Sequence, residues 1–195
     1  MGLIDTLLTP RLILEPLAMR HAESYERNFV DYEVIRHLSA AVPWPYPEGG
    51  VADYISTVIE PRQGEGHWHW ALALRDAPEE VIGSVGLWRK GTPEHRGFWL
   101  ARAHWGKGLM SEATHAVNDH AFDVLGFEEL LLSNALGNER SRNVKARRGA
   151  ELIGTREMTF VDPVYTQTET WRLTKAHWLT WRKDRDVASS QRDRP

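Results

Sequence analysis

The sequence predicts a mixed α/β fold whose central sheet is mostly antiparallel and flanked by helices. Three observations predict it. Residues 67–102 hold three strand-like stretches joined by short turns. The apolar period then changes at Gly106 from two to about 3.6. Beyond that point strand and helix patterns alternate as far as residue 174.

Taken in order, RLILEPL (11–17) alternates and reads as a strand. Residues 18–38 show polar–apolar spacing suited to two short helices. AVPWPYPEGG (41–50) carries three prolines and two glycines and must be a loop. Its Trp44 and Tyr46 stand beside prolines and form a candidate pocket lip. Residues 51–62 read as a helix stopped by Pro61. HWHWALALRD (67–76) places Trp68, Trp70, Leu72 and Leu74 on one face of a strand. VIGSVGLWR (81–89) and RGFWLAR (96–102) follow after tight turns, which implies an antiparallel meander. From Gly106 a helical face of Leu109, Ala113, Ala116, Val117, His120, Ala121 and Val124 runs to Gly126. ELLLSNALG (129–137) is a continuous apolar run, expected to be buried on both sides. Asn138 can cap a helix through Arg148. Residues 150–160 and 164–174 read as a hairpin, and 175–186 as an amphipathic helix carrying Trp178 and Trp181.

Length and composition exclude several classes. The 195 residues suit one domain with a sizeable core, expected over residues 1–186, with 187–195 a disordered polar tail. A net charge of −3 argues against bulk binding to nucleic acid or to an anionic membrane. With no cysteine, thiol catalysis and disulfides are ruled out. No apolar run approaches the ~20 residues that span a bilayer. The opening MGLIDTLLTPR carries Asp5 and does not read as a signal peptide, so a cytoplasmic location is expected. His67 with His69, and His115 with His120, lack a third ligand at a recognisable spacing, so no metal site is expected. The basic run Arg140–Arg148 reads mostly as a solvated helix face.

Gly106 and Gly108 sit where a strand gives way to a helix, in FWLARAHWGKGLMSEA (98–113). Glycine there is either turn punctuation or bare backbone that lets an anion approach a helix N-terminus. A P-loop spacing is absent. A dinucleotide fingerprint is met only in degenerate form, with Ser111 at its third glycine and Glu128 downstream. It normally opens a parallel fold, whereas three antiparallel strands come first here.

Five ordered stretches are similar to one family. They are TPRLILEPL, VIGSVGL, GFWLARAHWGKGLMSEA, AFDVLGFEELLL and NERSRNVKARRGAELIGT. They resemble the GNAT acyl-CoA N-acyltransferases, in the RimJ/RimL-like branch of ribosomal-protein N-terminal acetyltransferases, over residues 9–174. The resemblance implies the GNAT fold, acetyl-CoA as co-substrate and no metal. It implies that the turn Trp105, Gly106, Lys107, Gly108, Leu109, Met110 and Ser111 holds the CoA pyrophosphate. The turn departs from the superfamily pattern Q/R-x-x-G-x-G/A at both ends, and Met110 is bulky. By the same resemblance, the Leu100 backbone pairs with pantetheine and polarises the thioester carbonyl. Asn138 hydrogen-bonds CoA. Ser141 is the candidate general acid for the leaving thiolate. Glu94 and His95 stand where many relatives place a basic glutamate, and His95 has a suitable ordinary pKa. The acceptor is then a primary amine, either a protein N-terminus or a small molecule. A homodimer stays open. Two rivals remain: a non-catalytic acyl-CoA sensor or partner module, and an NAD-binding oxidoreductase resting on the degenerate glycine turn.

Overall fold

A computed structural model of the chain describes residues 4–90 and 93–192, the last eight by backbone alone. Its eight strands are β1 (Leu7–Leu8), β2 (Leu12–Pro16), β3 (His67–Leu74), β4 (Gly83–Trp88), β5 (Arg96–Leu100), β6 (Glu129–Ala135), β7 (Glu151–Glu157) and β8 (Gln167–Thr174). They form one sheet in the order β1-β2-β3-β4-β5-β6-β8-β7. All neighbours are antiparallel except β5 and β6. The mixed, mostly antiparallel class predicted from the short turns is therefore the observed one.

The helices are α1 (Ala22–Phe29), α2 (Tyr32–Ile35), α3 (Gly50–Tyr54), α4 (Leu109–Asp119), α5 (Glu139–Ala146) and α6 (Lys175–Arg192). They cover both faces of the sheet. Trp70, Leu72, Val85 and Leu87 meet Leu109, Ala113, Val117 and Phe122 of the α4 segment and Trp178 of α6. On the opposite face Ala71, Val81, Trp99 and Ala101 meet Tyr25, Phe29, Ile35, Val51 and Ile55. The strict alternation of residues 67–74 thus serves two cores. Tryptophan lies on one face and alanine on the other, where helices approach closely.

Three expectations need correction. β6 is buried chiefly on one face: Leu130, Leu132 and Asn134 are buried, while Leu131 and Ser133 are partly exposed. Val124 is 63% exposed, because the α4 segment widens into a π turn over His120–Val124 and carries it off the apolar face. α6 continues to Arg192, over residues 187–192 that were read as tail, and 193–195 lie outside the described residues. Among the described residues no helix is long and apolar enough to cross a membrane.

The site is positioned by how little β5 and β6 pair. Parallel strands rarely sit beside one another without an extended ladder, yet here the register holds one Cα pair, Arg96 with Leu132. One more contact precedes it. The His95 amide donates to the Leu131 carbonyl at 2.7 Å, and the Leu131 amide donates to His95 Nδ1 at 2.9 Å. Past Arg96 the strands diverge and leave a wedge.

Candidate active site

The wedge opens into a cleft of about 610 Å³. Its lining includes Phe98, Leu100, Gly106, Gly108, Asn138 and Ser141, with Glu94, Trp88, His37 and Phe160 toward the other end. The cleft therefore runs through the sheet from one helical layer to the other.

Backbone alternation sets the direction of the Leu100 amide. The amide of Ala101 donates to the Ile82 carbonyl on the β4 side at 2.8 Å. Successive residues of a strand point their N–H groups to opposite sides, so the Leu100 N–H faces the wedge. The Leu100 carbonyl accepts the Trp105 indole N–H at 2.7 Å. Trp105 in turn lies under the Arg140 guanidinium, 3.8 Å from ring centroid to Cζ. This cation–π contact ties the end of β5 to the first turn of α5 across the cleft.

Gly106 and Gly108 have φ of 75° and 74°, the left-handed region that side chains avoid. Around them is open space. A Cβ on Gly106 would meet nothing within 4 Å, and one on Gly108 only Arg11 Nη2 at 3.7 Å. Close packing is therefore not what demands glycine here. The left-handed turn of the backbone is what demands it. Gly108 is the N-cap of α4, and Asn138 caps α5 by accepting the Ser141 amide at 3.2 Å through Oδ1. Two helix N-termini thus face the cleft from the α4 and α5 side, a setting that favours an anion.

A clamp fixes the turn from outside. Arg11 Nη1 donates to the Lys107 carbonyl at 2.9 Å, and Arg11 Nε to Glu112 Oε2 at 2.7 Å. Thr9 Oγ1 and the Arg11 amide both donate to Glu112 Oε1. Burial pushes the Glu112 carboxyl up, but these bonds outweigh it and hold its pKa below the ordinary value. With the Lys107 carbonyl drawn outward to Arg11, the neighbouring amides are free to face the cleft. The sequence reading missed this clamp.

Behind Ser141 lies a polar cluster that was also missed. Lys145 is 2% exposed. Its Nζ donates to Ser141 Oγ at 2.8 Å and to the Ser141 carbonyl at 3.1 Å. Arg96 is 5% exposed and donates to Asn118 Oδ1. Glu169 is buried, bonded by Asn134 Nδ2 at 2.9 Å and paired with Arg142 at 3.6 Å. Burial drives the Lys145 ammonium well below its ordinary pKa, Arg96 adds to the fall and Glu169 opposes it. Burial, then Arg148, brings Arg96 down to about 9. The reading of Arg140–Arg148 as mostly solvated face fails at Lys145. Helical spacing carries the signal, since 141 and 145 share one face.

The two candidate bases separate. Glu94 lines the cleft, largely buried and ion-paired to Arg156 of β7. His95 is instead built into the strand seam: its Nδ1 accepts the Leu131 amide and its ring packs edge-on to Phe127. The ordinary pKa that recommended His95 is itself lowered, by burial first.

Comparison with known proteins follows the same lines. The acetyltransferase (GNAT) domain model matches residues 11–151. One relative is the uncharacterised N-acetyltransferase p20 of Bacillus licheniformis, 27% identical over 130 residues, which are 65% of this chain and 71% of p20. Another is YdaF of Bacillus subtilis, whose name assigns it provisionally to ribosomal N-acetylation. It is 30% identical over 83 residues, 42% of this chain and 45% of YdaF. Among solved structures, RimL, a ribosomal L7/L12 α-N-protein acetyltransferase in complex with coenzyme A, matches with a TM-score of 0.73 at 14% identity. The match covers 87% of this chain and 98% of RimL, and at that identity the likeness is one of fold. Together with the strand–turn–helix cleft, the domain match establishes that the chain is an N-acetyltransferase of the GNAT family.

Proposed function

We propose that this chain transfers the acetyl group of acetyl-CoA to a primary amine, a protein N-terminus or a small amine, by direct attack in a ternary complex. The observation that carries the reading is the bare left-handed turn at Gly106 and Gly108, opening beside a sheet that splits between β5 and β6. The residues present fit CoA. The amides of the turn and the N-terminus of α4 suit a pyrophosphate. Lys107, Leu109, Met110 and Ser111 belong to the same turn and first helical residues, and Trp105 braces its near side. Asn138 keeps its Nδ2 for the ligand, since Oδ1 is spent on the cap. When bound, acetyl-CoA supplies the activated acyl group.

The chain's own groups then divide the work. The Leu100 N–H holds the thioester carbonyl and stabilises charge developing on its oxygen. Ser141 faces the leaving sulfur and donates a proton to it. Glu94 accepts the proton of the attacking amine, directly or through water. Of the two candidate bases it is the one that lines the cleft. Positioning both substrates in one cleft supplies much of the remaining rate. The far end, lined by Glu33, His37, Leu38, Trp88 and Phe160, receives the acceptor. The name of YdaF, which refers to ribosomal N-acetylation, favours a protein amine.

Calorimetric titration with acetyl-CoA and, separately, with NAD tests the reading. Acetyl-CoA is expected to bind at micromolar Kd. Gly108→Glu should weaken it by at least about 100-fold, because a carboxylate would meet the anion at a position intolerant of side chains. Binding of NAD without binding of acetyl-CoA would sink the proposal.

A further inference from the structure

We propose that Lys145 is the proton source behind Ser141, a buried ammonium that reprotonates the serine hydroxyl as that hydroxyl protonates the departing CoA sulfur. The inference rests on the reading of the cleft as an acetyl-CoA site and concerns a residue that does not line it.

The geometry is that of a relay. Ser141 lines the cleft, and Lys145 sits one helical turn later on the same face of α5, shielded from solvent. Its Nζ reaches Ser141 Oγ at 2.8 Å. A lone serine is a weak acid, and giving up a proton would leave an alkoxide in a dry site. A cation at hydrogen-bond distance removes that cost. A lysine buried only for packing would be an expensive choice where an apolar side chain fits. Here its Nζ lies over the Phe98 ring, 5.2 Å from the centroid.

The step balances without another reactant. The thioester C–S bond breaks and its electron pair stays on sulfur. Sulfur takes the proton of Ser141 Oγ, and Oγ takes one from Lys145 Nζ. Lys145 is left as a neutral amine and recovers a proton through Ser141 from solvent once CoA has left.

The charges facing Lys145 tune it. Arg96 stands opposite from β5 and Glu169 from β8, with Arg142 of α5 paired to that Glu169 and neutral Asn118 of α4 bonded to Arg96. Burial and Arg96 make the ammonium a stronger acid than ordinary lysine. Activity should therefore fall with rising pH on a limb below the ordinary lysine value of about 10.4.

The test compares wild type, Lys145→Met, Lys145→Arg, Ser141→Ala and the Lys145→Met/Ser141→Ala double variant. Acetyl-CoA and a short peptide with a free N-terminal alanine serve as substrates. Lys145→Met is expected to lower kcat about 10–100-fold while KM for acetyl-CoA stays within about twofold. The double variant should be no slower than the slower single one, because both act on one proton path. Lys145→Arg keeps the charge but does not give up a proton, so kcat should fall there as well and the alkaline limb should disappear. Independently of any acceptor, the ultraviolet absorbance of the thiolate of bound CoA should show its thiol pKa rising in Lys145→Met. That titration decides the matter if the peptide is not a substrate, and if Lys145→Met folds poorly the kcat of Lys145→Arg decides it. The proposal is overturned if Lys145→Met keeps kcat within about twofold, if the two losses multiply, or if bound CoA titrates alike in wild type and variant. Should wild type bind no CoA, the cleft reading and the relay fall together. CoA binding with an unshifted titration removes the relay alone.

Discussion

Arg11 shows how a half-exposed side chain can matter more for binding than for stability. Its ion pair with Glu112 is 49% exposed on the arginine side, so the pair adds little to folding. Its bond to the Lys107 carbonyl, however, fixes the turn at Gly106 and Gly108. Arg11→Ala should weaken acetyl-CoA binding on the order of tenfold with only a small change in melting temperature. Unchanged calorimetric affinity would show that the turn holds its shape unaided. Gly97 makes a second case. It pairs with Gly86 across β4 and β5, and Trp88 covers it. A Cβ there would stand 2.9 Å from Trp88 Cη2, and Trp88 lines the cleft. Gly97→Ala should cost about 1–3 kcal/mol through overpacking. It should also raise KM for the amine more than KM for acetyl-CoA, as steady-state kinetics with each substrate varied would show.

At the level of elements, α6 is fastened to α4 through one carboxylate. Asp119 Oδ1 accepts Trp178 Nε1 at 2.9 Å and Arg182 Nη1 at 2.8 Å, and Oδ2 pairs with His115 at 3.2 Å. Burial pushes the Asp119 carboxyl up, but the bonds from His115, Trp178 and Arg182 prevail and hold it at about 2. A depressed carboxylate stabilises the fold above its unfolded pKa, and that stability is lost as pH falls through the folded value. Asp119→Asn should therefore cost about 1–2 kcal/mol at pH 7, allowing for partial exposure. The gap between variant and wild type in urea unfolding should narrow between pH 4 and pH 2. A gap independent of pH would assign the loss to packing. The elements most legible in the sequence were those whose burial is periodic, the meander of β3 to β5 and the face of α4, together with the Asn138 cap, which is a local signal. Less legible were features made by partners remote in sequence. Arg11 meets Lys107 and Glu112 about a hundred residues away, and His95 gives its imidazole to the backbone of Leu131. Lys145 sits in a run of cations whose local composition resembles a wet helix face. Only its register with Ser141 sets it apart.

Across the whole molecule, histidine makes the fold sensitive to acid. Six of the nine histidines, His21, His37, His69, His95, His104 and His120, have pKa values lowered chiefly by burial, His69 to about 4. Between these values and the unfolded value of about 6.5 the unfolded chain binds more protons, so stability rises with pH across that window. The melting temperature should fall progressively from pH 7 to pH 5, and His69→Gln should flatten the fall. A profile level over that range would contradict the lowered values. The seam between β5 and β6 has a different consequence. Apart from its helices, the sheet is two antiparallel halves that touch through His95 and Arg96 on one side and Leu131 and Leu132 on the other. Such a joint can open without melting either half, so the two halves need not exchange their amide hydrogens as one cooperative unit. The amides of His95 and Leu131 should exchange faster than those in the middle of β3 or β8 in the free protein. Acetyl-CoA should slow them, the ligand acting as the missing rungs that make two half-sheets behave as a single body.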